Sequence, residues 1–362
     1  MPSGGDWGLS LKAVIQGRGV SGLVINSTRF YQIDGNAILI KGFARDVTIE
    51  NNHFKKLGGN GIALLGETEM EGVPSSFGFG WNGTAGNQPS GVIVRGNVGQ
   101  QCAMVAKQTA FFFQAKSMGT LIERNIFFHA PRAAINFNDG FGGGNIIRHN
   151  LLFNTVMETG DHAPFNSWDR QPYAHRKEGN EYIMEKSPDE LYANFIIGNY
   201  YTQNNIDNDD GSAYFHTHHN LLVYGDHGLK SDFQGHDNFQ HHNIHAFLNA
   251  EAMTSGDPKE KLAGHQDKFH HNFVLQKHSH SYVDQGSCGC PAPGCTEIHD
   301  NSIFTPDGKI DAMCNRTVEE REKTGVDVGT TVASFPPSSS VIDMARRFLV
   351  EPEFESTISQ II

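Results

Sequence analysis

Between residues 155 and 245 the chain concentrates side chains that can do chemistry. Asp161-His162 comes first, then Trp168-Asp169-Arg170, then Asp207, Asp209-Asp210-Gly211-Ser212 and Tyr214, and finally Lys230, Asp232 and His236. Carboxylates, imidazoles, cations and aromatics are mixed here at a density that no solvated face requires. Two carboxylates roughly 5 Å apart cannot both ionise freely, so one serves as an acid while the other stays anionic. That pair is the equipment of glycosidic bond cleavage, retaining at ~5–5.5 Å and inverting at ~6.5–9.5 Å. Asp161, His162, Asp169, Lys230 and His236 are then substrate contacts, and Trp168 and Tyr214 can stack on sugar faces. Arg170 can clamp a substrate hydroxyl or carboxylate, or simply pair with Asp169. No resident metal or cofactor is expected, although Asp207, Asp209 and Asp210 together can hold a calcium ion.

The elements that must position these groups are visible as a repeat. An apolar–x–apolar–x–x–Asn phrase recurs at Asn52, Asn97, Asn125, Asn150 and Asn199, with looser copies at Asn220, Asn243, Asn272 and Asn301 and another at Asn26. Most steps between these asparagines are 21–29 residues, and the two longer ones, 45 and 49, carry inserts. Alternation over three to five residues, broken by Asn or Gly, describes short strands. At this period, short strands stack coil on coil as a parallel β-helix. Asn tolerates the left-handed backbone of a tight corner, and stacked amides can bond along the axis. The expected fold is all-β: a right-handed parallel β-helix of about ten coils over residues 1–335, with inserts near 66–90 and 156–190. Residues 336–362 read as a capping segment whose helix, over Val341–Leu349 after a capping serine, closes the solenoid's open end.

Counted from the preceding asparagine, Asp139, Asp161, Asp209, Asp210 and Asp232 lie 10–14 residues on. Equal offsets in a solenoid land on one face, so these carboxylates are expected to form a column.

The repeat phrase resembles that of the parallel β-helix family of pectate lyases, polygalacturonases and related carbohydrate-active proteins. The segments DHAPFNSWDR, IDNDDGSAYF and GLKSDFQGHDN resemble the β-helix glycoside hydrolases that include β-xylosidases and α-L-fucosidases. That resemblance implies a carbohydrate substrate. It also implies that the acid and the nucleophile or base are Asp232 and one of Asp209 and Asp210.

Composition narrows the alternatives. The 362 residues carry a formal charge of −12, which argues against nucleic acid as the main partner. No apolar run approaches the ~20 residues of a membrane span. A lyase or C5-epimerase on a uronate polymer is a second reading, with Lys230, Arg170, His162, His236 and Tyr214 as candidate groups, but the same negative charge disfavours a polyanion. A third is a structural or adhesive cell-surface β-helix, in which HDNFQHHNIH and HQDKFHHN are solvated corners. A metal site is conceivable where His241-His242 and His270-His271 precede repeat asparagines.

Asn26, Asn82 and Asn315 stand in N-x-[ST] triplets that fit a secreted, glycosylated chain. Four of five cysteines, Cys288, Cys290, Cys295 and Cys314, fall within 27 residues without the paired CxxC spacing of a zinc site. They read as two local disulfides of a secreted or cell-surface protein, leaving Cys102 as a buried thiol. Thiol titration of the denatured, unreduced chain is therefore expected to find one reactive thiol. Five would place the protein in a reducing compartment.

Overall fold

The computed structural model describes residues 10–70, 73–76, 85–138, 142–168, 174–176, 182–184, 186–199, 202–231, 233–255, 263–284, 296–311 and 316–350. Three long parallel sheets run along the chain, and a typical coil contributes one strand to each. In one coil these are Asn204–Asn208 in the first sheet, Phe215–His218 in the second and Leu221–Val223 in the third. The next coil supplies His227–Ser231, Phe239–His241 and Ile244–Leu248, in register with those. The architecture is thus the expected parallel β-solenoid of about ten turns.

Many strands of the second and third sheets are only three residues long, and typically the central residue points inward. In the second sheet Ile49, Val94, Ile122, Ile147 and Leu191 form one inward column. In the first sheet Ile38, Ile62, Phe112, Ile135, Phe165, Ile206, Leu229 and Met253 form another. Burial of these side chains, at about 1.5–3 kcal/mol each, is what the short strands gain by closing into coils. Packing is tight enough to dictate a glycine: a Cβ on Gly99 would lie 2.5 Å from the Phe111 ring.

Asparagine fixes the corner between the second and third sheets. Each amide nitrogen donates to the next Oδ1 along an unbroken line, Asn52–Asn97–Asn125–Asn150–Asn194–Asn220–Asn243–Asn272–Asn301, at 2.9–3.2 Å. The same Oδ1 also accepts from the backbone N–H one coil earlier, as Asn194 Oδ1 does from Asn150 at 3.1 Å. The second amide proton goes back to a strand carbonyl, as Asn194 donates to Ile147 at 2.9 Å. Both donors and both acceptor positions of the amide are used, which suits a buried Asn and no other side chain of that size. The left-handed residue is not the asparagine, as expected from sequence, but the one before it. Asn51, Arg124, His149, Ala193, His219, His242, His271 and Asp300 all have φ between 51° and 55°.

Two expected members of the line are corrected. Asn199 lies outside it, and Asn194 takes the place. Asp189–Tyr192 is the second-sheet strand of that coil, whereas Phe195–Ile197, which the sequence pattern suggests in that role, pairs into the third sheet. Asn199 instead bonds Thr202 and the Thr155 carbonyl. Asn26 pairs with Glu50 in register and is exposed, so the ladder position of that coil falls to Thr28, whose N–H donates to Asn52 at 3.0 Å.

Antiparallel hairpins, Thr68–Met70 with Val73–Ser76 and Ala174–Arg176 with Tyr182–Met184, stand in the two regions expected to be inserts. The terminal helix spans Ser338–Val350, but it lies along a side rather than over the open end. Val341 packs on Leu221, Ile244, Ala246 and Leu275, which belong to the outer face of the third sheet. Val318 of the short helix Val318–Glu322, with Val326, joins the inner core at the C-terminal end. There buried Arg321 pairs with Asp327 at 2.5 Å, and Tyr282 donates to the same carboxylate. Cys102 is a buried free thiol, its pKa pushed well up by burial. Cys288, Cys290, Cys295 and Cys314 lie outside the described residues, as do Asn82 and Asn315.

Replacing Asn194 by alanine removes every bond of one rung and orphans buried partners above and below it. Leaving such groups unmet costs about 1–3 kcal/mol each, so denaturant or thermal unfolding of Asn194→Ala should show a loss of roughly 3 kcal/mol or more. Asn26→Ala, at an exposed site outside the line, should stay within about 0.5 kcal/mol of the parent.

Candidate functional site

The outer face of the first sheet changes character along the solenoid. In one outward column the register runs Leu39, Ala63, Phe113, Asn136, Asn166, Asp207, Lys230, Thr254. Leu39, Ala63 and Phe113, with Leu65 and Ala115 of the neighbouring column, form a buried apolar patch against which Trp168 packs. From Asn136 onward the column is polar. The inward side of the same strands turns polar in step: Ser167 Oγ donates to Asn208 Oδ1 at 3.1 Å, and Ser231 Oγ to Asp267 at 2.7 Å.

A cleft of about 310 Å³ opens on this polar half, lined by Arg132, Asn136, Asn138, Asp161, Asn166, Trp168, Asp209, Asp210, Lys230 and Phe233. Lys230 is its electrostatic centre. Its ammonium lies 2.8 Å from Asp209 Oδ1 and 3.3 Å from Asp207 Oδ1, and the Asp207 side chain has no solvent exposure. The ammonium therefore stands where a calcium ion shared by Asp207 and Asp209 would have to sit. Beyond the strand, the chain turns sharply through Asp209-Asp210-Gly211-Ser212. Asp210 and Gly211 both have positive φ, 45° and 82°, and the Ser212 N–H donates to the Asp209 carbonyl at 3.0 Å. Asp-Gly is suited to such a left-handed pair, and here the turn holds both carboxylates over the cleft.

On the opposite rim Arg132 is buried and its guanidinium contacts Gln108 and His162 Nε2. A guanidinium only donates, so Nε2 accepts and the His162 ring carries its proton on Nδ1. His162 positions Arg132 and is not itself among the cleft's lining side chains.

Of the site residues expected from sequence, Asp161, Trp168, Asp209, Asp210 and Lys230 come together. Asp169, Arg170 and Asp232 lie outside the described residues, as does Asp139. Tyr214 and His236 form a separate group: their rings meet edge to face at 5.2 Å, and Lys186 Nζ stands 4.4 Å from the Tyr214 ring centre. Asp237 accepts from His236 Nδ1 and His265 Nδ1, each at 2.8 Å. Burial pushes the Asp237 carboxyl upward, but these two bonds outweigh it and hold the group below the usual carboxylate range.

The expected carboxylate column is not built on the strands. Phe165 pairs with Ile206, so Asp161 stands four residues before this register point and Asp209 three after it. They meet because loops at opposite strand ends fold over the same face. The counting fails because the link from each ladder asparagine to the next first-sheet strand varies: Ile135 follows Asn125 by 10 residues, Phe165 follows Asn150 by 15. Sequence reasoning passed over Arg132, Asn136, Asn138, Asn166 and Phe233. The alternation Ile135-Asn136-Phe137-Asn138 was a usable signal, since it sends both amides to the outer face.

The second sheet carries another array. His218, His241, His270 and His299 occupy the same register position and stack ring on ring, at 5.2, 5.2 and 4.8 Å, with Tyr192 above His218 at 5.1 Å. The left-handed neighbours His219, His242 and His271 form a second stack, at 5.2 and 5.0 Å. The two stacks are joined rung by rung through Nδ1–Nδ1 contacts of 2.8–2.9 Å. Burial, then neighbouring imidazoles, lowers the pKa of His218 to about 4, His219 to about 3, His241 to about 2 and His270 to about 4.

Compared with known proteins, residues 13–167, less than half of the chain, match the family model described as right handed beta helix region. No curated protein and no solved structure matches.

Lys230→Met would strip the buried Asp207 carboxylate of its ammonium. Breaking a buried pair from one side costs about 3–5 kcal/mol, and the unfolding midpoint should fall accordingly. The double variant Asp207→Asn/Lys230→Met should recover most of that loss. A single variant as stable as the parent would show that Asp207 does not depend on Lys230.

Proposed function

We propose that the protein is a glycoside hydrolase acting on an uncharged oligosaccharide or polysaccharide in the first-sheet cleft. The observation that carries the reading is the convergence of Asp161, Asp209 and Asp210 with Trp168, Phe233 and three asparagine amides on one concave face. Carboxylates supply the acid and the nucleophile or base, amides hydrogen-bond sugar hydroxyls, and the aromatic rings give apolar surface for a sugar face. Asp209, fixed by Lys230, is the anionic partner. Asp210, and Asp232 from the adjoining segment, are the candidates for the proton donor.

Charge favours a neutral substrate over a uronate. Three carboxylates face two cations in the cleft lining, Lys230 is engaged by two aspartates, and the Arg132 guanidinium is in contact with Gln108 and His162. The lyase or epimerase reading needs a cation available to neutralise a substrate carboxylate, and this lining disfavours it. A secreted or cell-surface setting, with the four C-terminal cysteines in disulfides, belongs to the same proposal and rests on the sequence alone.

A screen of neutral and uronate glycans on the purified chain is the direct test. Turnover of a neutral glycan should fall by ~10²–10⁴-fold in Asp210→Asn and in Asp209→Asn, the loss expected when a positioned acid or base is removed. The melting temperature of Asp210→Asn should change little. Cleavage of uronate polymers alone would favour the lyase reading. Absence of turnover across the screen would make the solenoid a binding or structural scaffold, and full activity in both variants would overturn the assignment of Asp209 and Asp210 as catalytic groups.

A further inference from the structure

Three features outside the cleft invite a function: the His236–Asp237–His265 group, the buried Arg321–Asp327–Tyr282 cap, and the double histidine stack of the second sheet. The cap is explained by closure of the core, and the Asp237 group is satisfied by its own hydrogen bonds. The histidine stack goes further, because at its C-terminal end the pattern changes. In the last described rung the second imidazole is replaced by a carboxylate, Asp300, in the same left-handed position.

We infer that His270, His271, His299 and Asp300 form a binding site for a divalent transition ion of the zinc type. One ligand atom from each of the three histidines lies within 4.8 Å of the others. Asp300 Oδ2 is 2.7 Å from His299 Nδ1 and 3.9 Å from His271 Nε2, which brings a fourth, anionic donor to the cluster. Zinc takes imidazole nitrogen and carboxylate oxygen at ~2.0–2.2 Å in a tetrahedron, a geometry that places neighbouring donors a little over 3 Å apart. His271 and Asp300 are exposed, so reaching that spacing asks for rotation of surface side chains, with an ion replacing the His270–His271 and His299–Asp300 contacts. Glu297 lies 3.6 Å from His299 Nε2, on the ring's other nitrogen, as a carboxylate that would orient a ligating imidazole. Three nitrogens and a single carboxylate select zinc, copper or nickel over calcium or magnesium, which require oxygen.

The backbone explains why the donors converge. His270 and His299 are in register on adjacent parallel strands, one coil apart. The left-handed residue after each strand then turns its side chain alongside its predecessor's, so two consecutive coils present four donors as a square. Upstream rungs have the same layout with imidazoles only, and the carboxylate distinguishes the final pair.

The test uses full-length, tag-free protein stripped with chelator and titrated with zinc chloride by calorimetry. One zinc per chain should bind, and calcium or magnesium in excess should not displace it. His271→Ala and, independently, the conservative Asp300→Asn should each weaken binding by about tenfold or more. The exposed pair His278 and His280, changed to alanine, should leave binding unaltered. Cobalt substitution should give visible bands of nitrogen and oxygen ligation without a thiolate charge-transfer band. No stoichiometric zinc at millimolar concentration would overturn the assignment. So would parent-like affinity in folded Asp300→Asn, or a thiolate band that survives the histidine change and places the ion on the cysteines.

Discussion

The interaction on which the rest of this structure depends is the asparagine line at one corner of the solenoid. A parallel stack of three-residue strands has little to set its register, because apolar columns tolerate sliding and each strand has few ladder bonds. The buried amide supplies what they lack. It must find the amide one coil away, and a slip of one residue would bury it against apolar side chains with its bonds unmet, at a cost of kilocalories. The left-handed residue before each amide makes the same demand on the backbone. Where Asp189 stands at a neighbouring corner, its carboxylate accepts at 2.8 Å from both nitrogens of Asn145, so the device also works with an acceptor-only side chain.

Once register is fixed, each sheet face becomes a surface that can be written coil by coil. The outer face of the first sheet is apolar through Phe113 and polar from Asn136, and that boundary sets the place of the cleft. Trp168 belongs to both sides, packed on the apolar patch and lining the polar cleft. The interior follows the same gradient. Ser167, Asn208 and Ser231 sit beneath the cleft where Ile40 and Leu64 sit further up, and Ser167 keeps the Asp209 turn bonded from below through Ser212. A polar floor of this kind stabilises the fold less than isoleucine would, and it holds loop carboxylates in place.

Much of this was legible in the sequence, and the gaps have identifiable causes. The period, the short strands and the amide line follow from side-chain chemistry repeated at a fixed spacing, which the chain displays openly. The misplacement of Asn199 arose because Phe195–Ile197 is as apolar as the earlier second-sheet strands such as Ile146–Arg148, while Asp189–Tyr192, with one inward leucine, is not. Periodicity cannot tell two adjacent short strands apart without their partners. Site residues on strands or their immediate ends, such as Trp168, Asp209 and Lys230, were found because composition marked them. Arg132 was not, because nothing local distinguishes a loop arginine that contacts a histidine thirty residues away.

The same logic explains how the cleft and the histidine stack can occupy the same coils. Lys230 and the pair His241-His242 belong to one turn of the solenoid, yet they stand on different sheets and face different solvent. Strand residues pointing outward from one sheet share no contacts with those of another, since the apolar core lies between. What they share is register: both the Asp207–Lys230 pairing and the stacking of His218 on His241 require the same alignment of neighbouring coils, and Asn220 and Asn243 lock that alignment. A substitution in that rung would reach the cleft and the histidine stack at once, whereas one in the cleft loop Asp209–Ser212 would reach the cleft alone.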